Sequence, residues 1–239
     1  MKRTALITGA SRGLGATLAR LLARRGFDLV LAARTEQDLT RVADGLRSER
    51  VTVLARHGDL ADSFTRQTLV DAARYIGGLD LLINNASELG SLAPLADVDA
   101  ARLERVLRVN VVAPIALTSL ALPLLSRNRG LVVNISSDAA VGAYAGWGAY
   151  GASKAALDLA SRTLATELAQ HKVAVVSVDP GDMRTRMHQE AFPGEDISDR
   201  PLPEVTVPFW EWLLAQDGTA ITGKRFQAQT VREQWAASA

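Results

Sequence analysis

Tyr150 and Lys154 stand four positions apart in Tyr150-Gly-Ala-Ser-Lys154, a spacing that puts both side chains on one face of a helix. A cation beside a phenol favours the phenolate. A fall in the tyrosine pKa from about 10 to about 7, about 4 kcal/mol of differential stabilisation, would poise it for proton transfer near neutrality. A second group lies near the start, where Thr8-Gly9-Ala10-Ser11-Arg12-Gly13-Leu14-Gly15 separates an apolar run from a helical pattern. Glycines at such a junction permit a tight turn, and they let a pyrophosphate reach backbone N–H groups at the positive end of a helix.

These residues need elements to hold them. Short runs rich in Val, Ile and Leu recur at 4–8, 28–33, 51–56, 79–84, 130–136 and 173–179, and 221–228 reads as a last strand. Longer helical stretches lie between them, with one apolar stripe at Leu14, Leu18, Leu21 and Leu22 and another at Leu39, Val42 and Leu46. Strands without polar alternation belong to a sheet covered on both faces. The expectation is a doubly wound (Rossmann) α/β fold, a parallel sheet of about seven strands with helices on both sides, forming one domain over 1–239. Ligands of such folds bind outside the carboxyl ends of the strands, where the strand order reverses.

After Asp179 the alternation breaks. The stretch Pro180 to Pro208 contains five prolines and no sustained period, and 182–208 reads as a substrate lid anchored by Met183, Met187, Phe192 and Ile197. Phe209, Trp210, Trp212 and Leu213 read as an amphipathic helix packed on the core or on another subunit.

The charge is balanced, 27 Lys and Arg against 26 Asp and Glu, so no overall field recruits nucleic acid or an anionic membrane. There are no cysteines, which removes disulfides and thiolate chemistry. The three histidines, His57, His171 and His188, are scattered without metal spacing, and no metal is expected. No run approaches the roughly 20 apolar residues of a membrane span, and the start does not read as a signal peptide. A cytoplasmic protein is expected.

The glycine pattern, Asn84-Asn85-Ala86 after the fourth run, and Tyr150-Gly-Ala-Ser-Lys154, in this order and spacing, resemble the short-chain dehydrogenase/reductase family over nearly the whole chain. The resemblance implies interconversion of a carbonyl and an alcohol by hydride transfer, with Tyr150 as general acid/base. It implies further catalytic groups at Ser137, with Ser136 the adjacent competitor, at Lys154, and at Asn110, which would hold a water linking Lys154 to solvent. It places the dinucleotide on Gly9, Ser11, Arg12, Gly13, Leu14 and Gly15, on Asp59 and Leu60 around the adenine, and on Asn85, Ala86 and Ser87. Tyr150, Lys154, Pro180, Gly181, Met183 and Thr185 complete the nicotinamide side. Serine at 87 departs from the family's usual Asn-Asn-Ala-Gly and puts a side chain near the ribose.

The second strand ends on Ala33, where an NAD enzyme of this fold needs a carboxylate, and Arg34 follows directly. With Arg12 it makes two guanidinium groups that can converge on an extra phosphate, so NADP(H) is the expected cofactor. Tyr144, Trp147, Arg184 and His188 are candidate substrate contacts, Arg184 allowing an acidic substrate. A homodimer or homotetramer is implied through 102–117 and 151–170. The competing readings are a non-catalytic NADP-binding regulator and an epimerase or dehydratase; the latter normally brings a larger C-terminal domain than the ten or so residues after the last strand.

Overall fold

The apolar runs become parallel strands because each is flanked by helices that cover both of its faces. A computed structural model of the chain describes residues 2–238. In chain order it holds β1 (Thr4–Thr8), α1 (Gly13–Arg24), β2 (Asp28–Ala33), α2 (Glu36–Asp44), β3 (Val53–His57), α3 (Ser63–Tyr75), β4 (Leu81–Asn84) and α4 (Ala100–Leu107). A π turn over Arg108–Val112 leads into α5 (Ala113–Asn128), then β5 (Leu131–Ile135), α6 (Gly148–Glu167), β6 (Ala174–Asp179) and α7 (Arg186–Ala191). The chain closes with α8 (Val207–Leu213), a single turn α9 (Gly218–Ile221), β7 (Arg225–Gln227) and α10 (Arg232–Ser238).

The strands pair in the order β3-β2-β1-β4-β5-β6-β7, all parallel. The order reverses between β1 and β4, so the expected crevice opens at the ends of these two strands. Alternate residues feed two cores: Ala5 and Ile7 of β1 face α1 and α8, whereas Leu6 faces α3 and α5. Phe209, Trp210 and Leu213 are fully buried, so α8 packs on its own domain's core.

Three expectations are corrected. The segment 182–208 is not without regular structure: it contains α7 and a 3-10 turn at Pro203–Thr206, and Glu204 ties it to α1 through Thr17 Oγ1 at 2.9 Å. The last strand is only Arg225–Gln227, because 218–221 forms a helical turn capped by the Asp217 side chain on Thr219 N–H. The helical stretch Ala100–Asn128 holds an 18-residue window of mean hydropathy 1.8, long and apolar enough to cross a membrane. Half of that window is buried within the fold, with Leu117, Ala121, Leu124 and Leu125 packed in the second core.

Candidate active site

Side chains at the ends of β1 and β4 build the floor of the crevice. Thr8 Oγ1 accepts hydrogen bonds from Asn85 N–H (2.9 Å) and Ala86 N–H (3.0 Å), and Asn85 Nδ2 donates to the Thr8 and Gly9 carbonyls. Asn85 is therefore a brace between the strand end and the glycine turn. Gly9 has φ +66°, and a Cβ there would stand 2.8 Å from Asn85 Nδ2; one at Gly15 would stand 2.3 Å from the Gly9 carbonyl oxygen. The first and third glycines are thus required by chain packing, and Gly15 alone of the expected cofactor contacts does not line the cavity.

That cavity, about 750 Å³, runs from Arg12, Arg34, Asp59 and Leu60 at one end, past Gly9, Ser11, Gly13, Leu14, Asn85, Ala86 and Ser87, to Ser137, Tyr150 and Lys154. Pro180, Gly181, Met183 and Thr185 line its other wall. Two residues absent from the sequence reading hold this wall: Gln229 Nε2 donates to the Pro180 and Asp182 carbonyls (3.0 and 2.7 Å), and Asp179 Oδ1 accepts from Gly181 N–H (3.0 Å).

At the far end of the cavity Tyr150 and Lys154 share one face of α6, as their spacing demands, and both are buried. Burial is the largest influence on the tyrosine here. Burial drives its pKa up to about 12, and the Asp179 and Asp138 carboxylates add to this, while the Ser137 and Ser87 hydroxyls pull the other way. Lys154 does not offset this: its Nζ donates to the Ile135 carbonyl at 2.7 Å and stands 5.5 Å from the Tyr150 ring centre. Burial lowers its own pKa to about 8 against the pull of Asp158 and Asp179. Ser137 faces the phenol, donates to Asp138 Oδ1 (2.9 Å) and accepts from Ala139 N–H (3.2 Å). Ser136, its competitor, is 2% exposed and has its Oγ buried with no hydrogen-bond partner.

Asn110 sits in the π turn, outside the cavity lining. Both Nδ2 hydrogens are spent, on the Glu88 carbonyl (2.8 Å) and Ser153 Oγ (2.9 Å), and Oδ1 accepts from Glu88 N–H (2.8 Å). Ser153 in turn donates to the Tyr150 carbonyl at 2.6 Å. The side chain thus ties the π turn to α6. Its carbonyl is another matter, since Pro114, four residues on, has no N–H for the usual helical bond.

Charged residues remote in sequence complete both ends. Glu88 binds Arg34 Nη1 and takes two bonds from Arg105 (2.6 and 2.9 Å), whose Nη1 reaches Asp59 Oδ2 at 2.7 Å. Burial alone would raise the Asp59 pKa, but the Arg105 bond and the Ala61 N–H hold it below its ordinary value. Arg12 stands 3.9 Å from Asp38. Under the catalytic end, Arg225 of β7 donates to Asp158 Oδ2 (2.9 Å), Asp179 Oδ2 (3.2 Å) and the Ser137 carbonyl (2.8 Å).

Of the expected substrate contacts, Tyr144, Trp147 and His188 line the cavity and Arg184 does not. Arg184 lies near Asp196, and its N–H binds the Pro201 carbonyl. Arg186 lines the cavity in its place, paired with Glu190 at 2.7 Å.

A glycine turn at the switch point of a doubly wound sheet, opening on the same cavity as a buried Tyr-Lys pair, defines a Rossmann-type α/β enzyme. The family model for short chain dehydrogenase matches residues 3–196, and the chain belongs to this family of oxidoreductases. It is 33% identical over 240 residues to the uncharacterized oxidoreductase YciK of Escherichia coli K12, covering 97% of this chain and 93% of that protein. A short chain dehydrogenase structure from Pseudomonas syringae superposes with a TM-score of 0.89 at 36% identity, over 95% of this chain and 94% of that one. One from E. coli CFT073, complexed with NADPH, gives 0.87 at 35% identity, over 95% and 97%.

Proposed function

We propose that this protein is an NADP(H)-dependent oxidoreductase that interconverts a ketone or aldehyde and its alcohol, with Tyr150 passing the proton. The observation that carries the reading is one continuous cavity with the Tyr150 phenol and Ser137 hydroxyl at one end and Arg12 and Arg34 at the other. The residues present fit the dinucleotide. No acid stands in the first turn of α1 and no side chain caps its N–H groups, so the positive helix end is left to a pyrophosphate. Arg12 and Arg34, with side chains 43% and 64% exposed, would donate to the extra phosphate through N–H groups not spent on Asp38 and Glu88. Asp59 and Leu60 would hold the adenine; Ser87, Pro180, Gly181, Met183 and Thr185 would surround the nicotinamide side. The NADPH complex of the E. coli CFT073 relative supports the assignment.

When bound, the cofactor supplies hydride to the carbonyl carbon or takes it from the alcohol. Ser137 turns its hydroxyl from Asp138 to the substrate oxygen and holds it against Tyr150. Because burial keeps the phenol protonated at neutral pH, it delivers its proton to that oxygen as negative charge develops there. Lys154, charged below about pH 8, stabilises the phenolate left behind. The Asn110 carbonyl is the acceptor that would hold a relay water for reprotonation. Exposed Val112, Leu120 and Leu159 on α5, α6 and the π turn support association of the chain with copies of itself.

The test is NADPH oxidation by the purified protein against a panel of ketones, aldehydes and quinones. Turnover in the wild type that Tyr150→Phe abolishes, with NADPH still bound, is the expected result; equal turnover in the two proteins would overturn the role of Tyr150.

A further inference from the structure

Beyond Ser137 and Tyr150 the cavity ends in an aromatic wall. Trp147 packs edge-on to Tyr150 (ring centres 6.0 Å apart) and to Tyr144 (6.2 Å), and lies 5.7 Å from Phe192, which stacks on His188 at 4.8 Å. All four outer rings line the cavity. An aromatic surface therefore extends outward from the proton-donating phenol, and offset or edge contacts of this kind favour a planar aromatic partner over an alkyl chain.

The charge at this end is selective. Asp138, the residue after Ser137, accepts from the Ser137 and Tyr144 hydroxyls at 2.9 and 2.7 Å. Burial works to raise its pKa, but these two bonds and the Ala139 N–H outweigh it, so the carboxylate stays ionised at neutrality. Asp179 and Asp182 line the same region. The cations facing them are committed: Lys154 to the Ile135 carbonyl, Arg225 to Asp158 and Asp179, Arg186 to Glu190. A substrate carboxylate beside Ser137 would meet the ionised Asp138 carboxylate.

We propose that the substrate is an uncharged aryl ketone or aldehyde. The ring lies on Trp147 and Phe192, and Asp138 excludes oxo acids. This rests on the carbonyl reductase reading above.

The test uses the full chain with NADPH and matched compounds: a hydroxyacetophenone, acetophenone, 2-octanone, and phenylglyoxylate beside its methyl ester. The ester is expected to exceed the acid in kcat/KM by about tenfold or more, as like charges at a partly desolvated site dictate, and both acetophenones to exceed 2-octanone. In Asp138→Asn the ester-to-acid ratio falls by about tenfold. Phenylglyoxylate matching its ester, or 2-octanone matching the aryl ketones, would overturn the proposed substrate class while leaving the reductase reading intact. These wild-type comparisons decide the matter even where a variant does not fold. Absence of NADPH oxidation with every compound would overturn both readings.

Discussion

Four-residue spacing says that Tyr150 and Lys154 are neighbours, but not how dry their surroundings are. The dryness decides the chemistry: burial holds the tyrosine protonated at about 12 and lowers the lysine to about 8. In the proposed reaction the phenol is the proton donor, and Lys154 stabilises its conjugate base only while charged. Carbonyl reduction should therefore be level through neutral pH and fall as pH rises through about 8, with the loss of the Lys154 proton. Alcohol oxidation, which starts from the deprotonated phenol, should rise with pH over the same range. A pH profile of kcat/KM in both directions checks this, and a reductive limb that falls only near pH 12 would assign the control to Tyr150 alone. Replacing Tyr150 by Phe should lower kcat by about 10²-fold or more, the size of a general acid contribution, with NADPH affinity unchanged by titration.

Elements supply what residue spacing cannot. The strands were readable because both faces of each are covered, which leaves unbroken apolar runs such as Thr4–Thr8 and Ala174–Asp179. The glycine turn and Asn85 were readable because their neighbours in space are strand ends whose order the fold class dictates. Arg225, Gln229, Glu88 and Arg105 were not, because each acts on a residue tens of positions away and none carries a local pattern. The side-chain partners of Asn110, Glu88 and Ser153, were not readable either, since they come from two other segments. The segment 182–208 stood out by its prolines, yet α7 is too short for its period to register. Arg225 shows what such remote contacts hold: it joins β7 to the Ser137 carbonyl and to two largely buried carboxylates. Arg225→Met leaves those carboxylates unpaired, and with its own side chain 24% exposed the loss is discounted to about 2 kcal/mol. Thermal unfolding should then fall by roughly 4–8 °C, and kcat should drop as Ser137 loses its anchor.

On the scale of the whole molecule, one sheet between two cores places every group of the cavity on the same edge. The near-neutral charge balance means that phosphate recognition must be local, and the proposed site for the extra phosphate is Arg12 and Arg34. Binding across that edge joins segments from β1 to the lid, so the dinucleotide should stabilise the entire fold. NADPH at about a hundred times its Kd should add about 2.7 kcal/mol and raise the unfolding temperature by roughly 5–10 °C. The most direct measurement is an equilibrium titration of the purified protein with NADPH and with NADH, followed by nicotinamide fluorescence and repeated on Arg34→Ala. A charged contact to the extra phosphate is worth about 1.5–3 kcal/mol, so NADPH should bind about ten- to hundredfold more tightly than NADH, and the variant should lose most of that margin. Equal affinity for the two, or no binding of NADPH, would contradict the account.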